Sequence, residues 1–137
     1  MMHEHKKYRF VDKGCLNASE KILVSAWVDK LLSVYFNEID VLKMQIQYAF
    51  SHDLMSIQYY YSTIWIAFNI RDFQPIFTGK FRSPVSMTAF QKEGAPVFFY
   101  LHVENGIVKG IEVGNDDLSE FNMRVINLDD TKHYVSS

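Results

Sequence analysis

The sequence contains few of the residues that form covalent cross-links or metal sites. Among 137 residues there are three prolines, six glycines and one cysteine, Cys15. A lone cysteine excludes an internal disulfide and a multi-thiolate metal site, and it suits a reducing compartment. No apolar run reaches the roughly 20 residues of a transmembrane helix, because Gln58, Ser62, Asn69 and Arg71 interrupt the most apolar region. We therefore expect a cytoplasmic protein without membrane contact.

The sequence also lacks a large excess of positive or negative charge, and it lacks the common catalytic motifs. The formal net charge is -2, whereas proteins that bind the phosphate backbone need concentrated lysine and arginine. This composition argues against a direct nucleic-acid ligand. The sequence has no glycine-rich phosphate loop, no Cys-x-x-Cys pair and no His-Glu-x-x-His helix. We predict no catalytic residues, no cofactor and no metal, and hence a protein that is not an enzyme.

The length and the apolar content of the chain indicate one globular domain. Hydrophobic residues make up 48% of the sequence and charged residues 22%, which are ordinary globular values. Residues 1–7 have no apolar residue after Met2, so we expect a flexible tail there and a single domain over residues 8–137. Aromatic residues reach 15% and concentrate between Tyr48 and Tyr100. Such rings fill a core or anchor a partner.

Two helical segments come first. Asn17 and Glu20 have the spacing of a capping box, and apolar residues then recur at helical spacing, which predicts a helix over 18–33. Asn37 is a possible cap for a second, shorter helix. In that second helix Gln45 falls mostly off the apolar stripe, so we expect it on the polar side.

The second half of the chain has the alternation of β-strands. Over 57–70 aromatic and β-branched residues alternate, which predicts one long strand, bent or straight, with Tyr59, Tyr61 and Trp65 on a common face. If the helices cover that face, the three rings belong to the core. If they do not, the rings form an exposed patch that binds a partner.

The clearest local signal is a hairpin at Asn105-Gly106, because these residues tolerate the positive φ angles of a type I′ turn. Regular pairing from this turn places Val103 opposite Val108 and His102 opposite Lys109. One side of the hairpin is then apolar and predicted to be core: Phe99, Leu101, Val103 and Val108. The other side, with Tyr100 and His102, is predicted to face solvent or a partner.

Further strands complete the predicted fold. A short strand is predicted over 85–89 after Pro84, and a sheet edge is one position considered for it, because proline is tolerated there. A last strand is predicted over 121–128, with 131–137 as a soft end. The fold class is therefore α+β, with two N-terminal helices packed on one face of a mainly antiparallel sheet of four to six strands.

Charge is unevenly distributed along the chain. Between Glu104 and Asp130 there are seven acidic and two basic residues, a local net charge of -5. Such a segment is either ordinary solvated surface or a surface that steers a basic partner. Combined with the aromatic set, it defines the predicted partner-binding residues: Glu104, Glu112, Asp116, Asp117, Glu120, Tyr59, Tyr61 and Trp65.

A second candidate set is His102, Glu104 and Lys109 on the same hairpin. Histidine and glutamate can transfer protons, so this trio could serve a catalytic or small-molecule-binding domain near a sheet cavity. The alternative is a solvated sheet face with a weak Glu-Lys contact.

Residues 98–113, which read FFYLHVENGIVKGIEV, resemble the LHV-x-x-G-x-x-x-x-L-E signature of small bacterial α+β proteins. Many of these look like immunity proteins of polymorphic or contact-dependent growth-inhibition toxin systems. Here Ile111-Glu112 stands in place of Leu-Glu, and Gly110 stands where a larger polar residue is usual. The resemblance implies a cytoplasmic, non-enzymatic protein that binds and neutralises a cognate toxin C-terminal domain. It further implies a nuclease toxin with a basic surface, which would suit the acidic segment. A homodimer joined through the face of Tyr59, Tyr61 and Trp65 is the remaining alternative.

Overall fold

The computed structural model describes residues 11–12, 15–122 and 125–136, so the predicted tail over 1–7 lies outside the described residues. None of the described helices is long and apolar enough to cross a membrane. In chain order the elements are β1 (Val11–Asp12), α1 (Ala18–Leu31), α2 (Ile39–Ser51), β2 (Met55–Tyr59), β3 (Thr63–Phe68), β4 (Val85–Ala89), β5 (Val97–Glu104), β6 (Ile107–Asn115) and β7 (Thr131–Val135).

The strands form one antiparallel sheet in the order β1-β2-β3-β6-β5-β4-β7. Six of them have five or more residues, and β1 adds a two-residue pair at one edge. The predicted α+β class and the antiparallel sheet are thus confirmed. The strand β4 lies between β5 and β7, however, so the edge position considered for it is wrong.

The end of the chain differs from the sequence prediction. No strand forms among the described residues of the segment 121–128, and the expected soft end contains β7. The sequence of β7 is mostly polar, so it lacks the apolar alternation that predicts a strand. It is a strand because its backbone pairs with β4 over five residues, from Ala89 opposite Thr131 to Val85 opposite Val135.

The start of α1 is confirmed by its capping box. The Asn17 side-chain oxygen accepts a hydrogen bond from the Glu20 N–H, and the Glu20 carboxylate accepts one from the Asn17 N–H, both at 2.8 Å. The start of α2 is different, because the N-cap is Glu38 at φ +67° rather than Asn37. The Glu38 carboxylate accepts hydrogen bonds from the hydroxyl and N–H of Thr78, which lower its pKa and tie α2 to a distant loop.

The buried apolar side chains of the sheet lie on one face, termed here the inner face. Its central row consists of Tyr59, Ile64, Val113, Phe99, Met87 and His133. Phe99, Leu101, Val103 and Val108 are all buried, as the hairpin pattern predicts. Trp27 of α1 meets Phe99 edge to face at 5.7 Å, and Gln45 of α2 binds the β5–β6 hairpin. Both helices therefore contact the sheet, while their packing over one face stays a prediction.

The predicted long strand over 57–70 is in fact two strands, β2 and β3. The chain reverses at residues 60–62, where the Tyr60 N–H donates to the Thr63 carbonyl at 2.8 Å. No glycine or proline marks this turn, so the alternation runs through it unbroken. The reversal separates the aromatic residues that the alternation places together. Tyr59 pairs with Ile64 on the inner face, whereas Trp65 pairs with Gln58 on the opposite face.

Candidate functional site

The opposite face of the sheet, termed the outer face, remains partly open to solvent. Its central row consists of Gln58, Trp65, Glu112, Tyr100, Ser86 and Tyr134. Residues paired directly across antiparallel strands project to the same side, so these side chains are neighbours. Tyr100 is 41% exposed, and the side chains of His102 and Glu112 are 37% and 40% exposed.

Two glycines shape the centre of the outer face. Gly110 and Gly114 lie on either side of Glu112 along β6, on the same face. A Cβ atom at Gly110 would lie 2.5 Å from the Trp65 ring, and one at Gly114 would lie 2.6 Å from Thr63 Cγ2 and 3.0 Å from the Phe98 ring. Trp65 therefore occupies the space above Gly110, and Thr63 and Phe98 occupy the space above Gly114. Glu112 is the one β6 side chain between the two glycines on this face.

The rings around Glu112 form a spatial series in which each ring lies next to the following one. Ring centroids lie 5.3 Å apart for Phe98 and Tyr100, 6.5 Å for Tyr100 and His102, and 5.3 Å for His102 and Trp65. His102 Nε2 is also 3.3 Å from Glu112 Oε1. Phe98, Tyr100, His102 and Trp65 are called the aromatic face below. They lie on paired strands, so their positions are held by the sheet.

The candidate trio His102, Glu104 and Lys109 borders one open groove of about 410 Å³ beside the aromatic face. The pairing within it differs from the prediction. His102 pairs with Gly110 rather than Lys109, because a β-bulge follows His102. The bulge is stabilised by the Val103 N–H, which donates to a loop carbonyl at 2.6 Å. The first two pairs from the turn match the prediction.

Glu104 is already compensated by basic side chains of the same chain. Its carboxylate lies 3.5 Å from an Arg82 nitrogen and 3.9 Å from the Lys109 ammonium. These three residues form an exposed ion-pair group, whose contribution to stability is small. Glu104 is therefore less suited than the other predicted acids to attract a basic partner.

The predicted acidic residues do not form one patch. Glu104 lies at the β5–β6 turn, and Asp116 follows the other end of β6, a strand of nine residues with a rise of about 3.3 Å per residue. Glu112 lies between them. Other acidic residues lie at the same end of the sheet as Asp116, because the β4–β5 loop and the segment before β7 meet there. This acidic end consists of Glu93, Asp116, Asp117, Glu120, Asp129 and Asp130; Lys92 is the one basic residue in the described parts of its loops.

The loop that carries most of the acidic end is internally hydrogen-bonded. The buried Asn115 amide donates to the Glu120 carbonyl at 2.7 Å and to the Ser119 hydroxyl at 3.2 Å. The hydroxyl and N–H of Ser119 donate to Asp117, which lowers the pKa of that carboxyl. Leu118 projects from the same loop and is 71% exposed. The exposed apolar side chain of Leu118 thus lies in the same loop as the acidic residues Asp116, Asp117 and Glu120.

Tyr59 and Tyr61 lie apart from the aromatic face. The Tyr59 hydroxyl donates to Glu20 Oε2 at 2.5 Å on the inner face. Burial raises the pKa of Tyr59, and the Glu20 carboxylate raises it further. Tyr61 lies in the β2–β3 turn, half-buried, and its carbonyl accepts from the Phe121 N–H at 2.8 Å. Trp65 is therefore the one member of the predicted aromatic trio on the aromatic face.

Phe98 and the two glycines are the site residues that sequence reasoning missed. The signal for Phe98 was present, since it alternates with Phe99 and shares a side with Tyr100. The role of Gly110 and Gly114 depends on atoms of neighbouring strands, so the sequence of β6 alone does not show it.

Comparison of the chain with protein-family models, curated proteins and solved structures found no match. Within the described part of the chain, no group of three or more His, Cys, Asp or Glu side chains is placed to hold a metal ion. Function is therefore inferred from the two surfaces, the aromatic face and the acidic end.

Proposed function

We propose that this protein is a non-enzymatic immunity protein that acts in the cytoplasm, where it binds and neutralises a cognate toxin domain. The observation that carries the proposal is the partly exposed aromatic face at the centre of the sheet. Tryptophan and tyrosine supply much of the binding energy of protein interfaces when they become buried there. Trp65 and Tyr100 are carried by paired strands, so little conformational entropy is lost when a partner covers them.

The acidic end supports a basic partner. Six acids converge there with one described loop lysine, and the hydrogen bonds of Ser119 favour the charged form of Asp117. A concentrated negative potential speeds association with a positive surface. The hairpin resemblance points to the same class of protein, since toxin domains that act on nucleic acid present basic surfaces. We propose such a toxin domain as the partner.

The test is a pull-down followed by a neutralisation assay. The tagged protein is used as bait in native lysate, and the recovered protein is then expressed alone and together with the bait. We expect one stoichiometric partner whose expression arrests growth and whose activity is blocked by an equimolar amount of this protein. A stoichiometric partner that is harmless alone would overturn the immunity function.

Matched variants locate the interface. Tyr100→Ala should weaken binding by about tenfold or more, as truncation of an interface anchor does. The control is Tyr35→Ala, since Tyr35 is 81% exposed but lies beyond the end of α1. The double variant Asp116→Lys/Asp117→Lys should slow association, whereas Asp40→Lys on α2 should change it less. Equal effects of test and control variants would remove these surfaces from the interface.

A second candidate function is small-molecule binding or catalysis at the groove, because His102, Glu104 and Lys109 do border the same space. A screen of small molecules by ligand-detected NMR tests it. A hit that is lost in His102→Ala and retained in Tyr35→Ala would favour this function. The homodimer alternative is tested by the mass in solution, since a dimer built through the aromatic face should dissociate when Tyr100 is replaced by arginine.

A further inference from the structure

At the centre of the outer face, the Glu112 carboxylate lies between aromatic side chains. Glu112 pairs with Trp65 on one side and Tyr100 on the other. Along its own strand the neighbours on this face are Gly110 and Gly114, which have no side chains. The space above the glycines is occupied by Trp65 and Thr63 of β3 and Phe98 of β5. Glu112 therefore has mainly aromatic neighbours and is 40% exposed to solvent.

No lysine or arginine among the described residues forms an ion pair with Glu112. Arg82 and Lys109 border the same groove but pair with Glu104, at 3.5 and 3.9 Å. Within the described chain the one polar partner of Glu112 is His102, whose Nε2 lies 3.3 Å from Oε1. The second carboxylate oxygen, Oε2, is therefore available to a ligand.

This chemistry selects a planar cation. A carboxylate accepts paired hydrogen bonds from a guanidinium, and aromatic ring faces attract the same group by stacking and cation–π interaction. An ammonium group gains the charge attraction without the planar stacking, and an anion is repelled by Glu112. Since the side chain is 40% exposed, a residue of a docked protein can reach it without any rearrangement of the sheet.

We infer that Glu112, walled by Trp65 and Tyr100, is a recognition site for an arginine side chain of the partner protein. The identity of that partner rests on the proposed function, but the affinity of the site for a guanidinium does not. The site can therefore be examined in the intact protein with a small probe.

The probe is N-acetyl-L-argininamide, titrated while the two tryptophan indole N–H signals are followed by NMR. Trp65 borders the site, and Trp27 is buried and serves as an internal reference. We expect a saturable shift of the Trp65 signal, little shift of Trp27, and no comparable shift with the neutral citrulline analogue. An equal response to the citrulline analogue would overturn the inference.

Glu112→Gln and Glu104→Gln form a matched pair of variants that differ in which carboxylate is neutralised. Glu112→Gln should weaken probe binding by about tenfold, the scale of one charge-assisted pair, and Glu104→Gln should leave it nearly unchanged. Thermal unfolding of both variants verifies that they are folded. Unchanged binding to Glu112→Gln would overturn the inference.

The same two variants separate this inference from the proposed function. If a toxin partner is recovered and binds Glu112→Gln about tenfold more weakly than Glu104→Gln, both proposals are supported. If it binds both variants equally, the arginine site is wrong and the immunity function stands. If no toxin partner exists but the probe binds at Glu112, the arginine site stands and the immunity function falls.

Discussion

The side-chain oxygen of Gln45 accepts a hydrogen bond from the backbone N–H of Val108 at 2.8 Å. The amide nitrogen of the same side chain donates to the Gly106 carbonyl at 2.9 Å and to the Pro75 carbonyl at 3.3 Å. Gln45 is fully buried, so these bonds satisfy a polar group that has no access to water. One side chain thus joins α2 to the turn that positions β5 and β6.

Replacing Gln45 with leucine should destabilise the fold by about 1–3 kcal/mol. The substitution keeps the volume roughly constant but leaves the buried Val108 N–H without its acceptor, and an unsatisfied buried group costs about 1–3 kcal/mol. The Gly106 carbonyl keeps the hydrogen bond that it accepts from the Phe77 N–H. Urea unfolding measures the loss. The control is Gln47→Leu, which makes the same change at an exposed position of the same helix. Equal stability of the two variants would show that the buried bonds contribute nothing net.

Gly110→Ala should destabilise the protein and displace Trp65. The new Cβ would lie 2.3 Å from the Ile66 carbonyl oxygen and 2.5 Å from the Trp65 ring, so backbone or ring must move. Overpacking of this kind costs about 1–3 kcal/mol. Thermal unfolding measures the destabilisation, and the Trp65 indole signal reports the ring. In a Trp65→Ala background the alanine should remain costly, because the Ile66 contact persists. A melting temperature unchanged by Gly110→Ala would contradict the close packing.

The hydrogen bond between Tyr59 and Glu20 predicts a pH dependence at alkaline pH. Because burial and the Glu20 carboxylate raise the pKa of Tyr59, folding favours its neutral form. The stability from this group is complete below the unfolded tyrosine pKa of about 10 and is lost as pH rises above it. The stability difference between the protein and Tyr59→Phe should therefore shrink between about pH 9 and pH 11.

Urea unfolding at several pH values measures the difference between the protein and Tyr59→Phe. A pH-independent difference for Tyr59→Phe would mean that Tyr59 titrates alike in the folded and unfolded protein.

Much of the fold could be predicted because its signals are local. The capping box at Asn17 and Glu20, the Asn105-Gly106 turn and the alternation of 97–104 each depend on neighbours within a few residues. The face of Tyr100 and His102 was predicted on the same basis. Gln45 was predicted on the polar side of α2 because helical spacing assigns polar residues to the solvent side. In the structure it is buried, and a buried glutamine is stable only when its amide is hydrogen-bonded, here to backbone groups distant in the sequence.

The composition of the candidate site depended on contacts between distant segments. A turn without glycine or proline moved Tyr59 to the inner face, and a bulge held by Arg82, 21 positions before Val103, shifted His102 away from Lys109. The grouping of the acidic residues also depends on contacts between distant segments. Only the strand order shows that Asp116 and Asp130 share one end of the sheet.

By itself the sequence determined the class of the fold, the limits of α1 to within two residues, the central hairpin and its apolar side, because these follow from short-range periodicity and turn chemistry. Tertiary structure alone decided which rings surround Glu112, that Glu104 pairs with Arg82 and Lys109, and that a polar segment becomes β7. Those outcomes are set by pairing between strands far apart in the chain, where register and burial are properties of the assembled sheet.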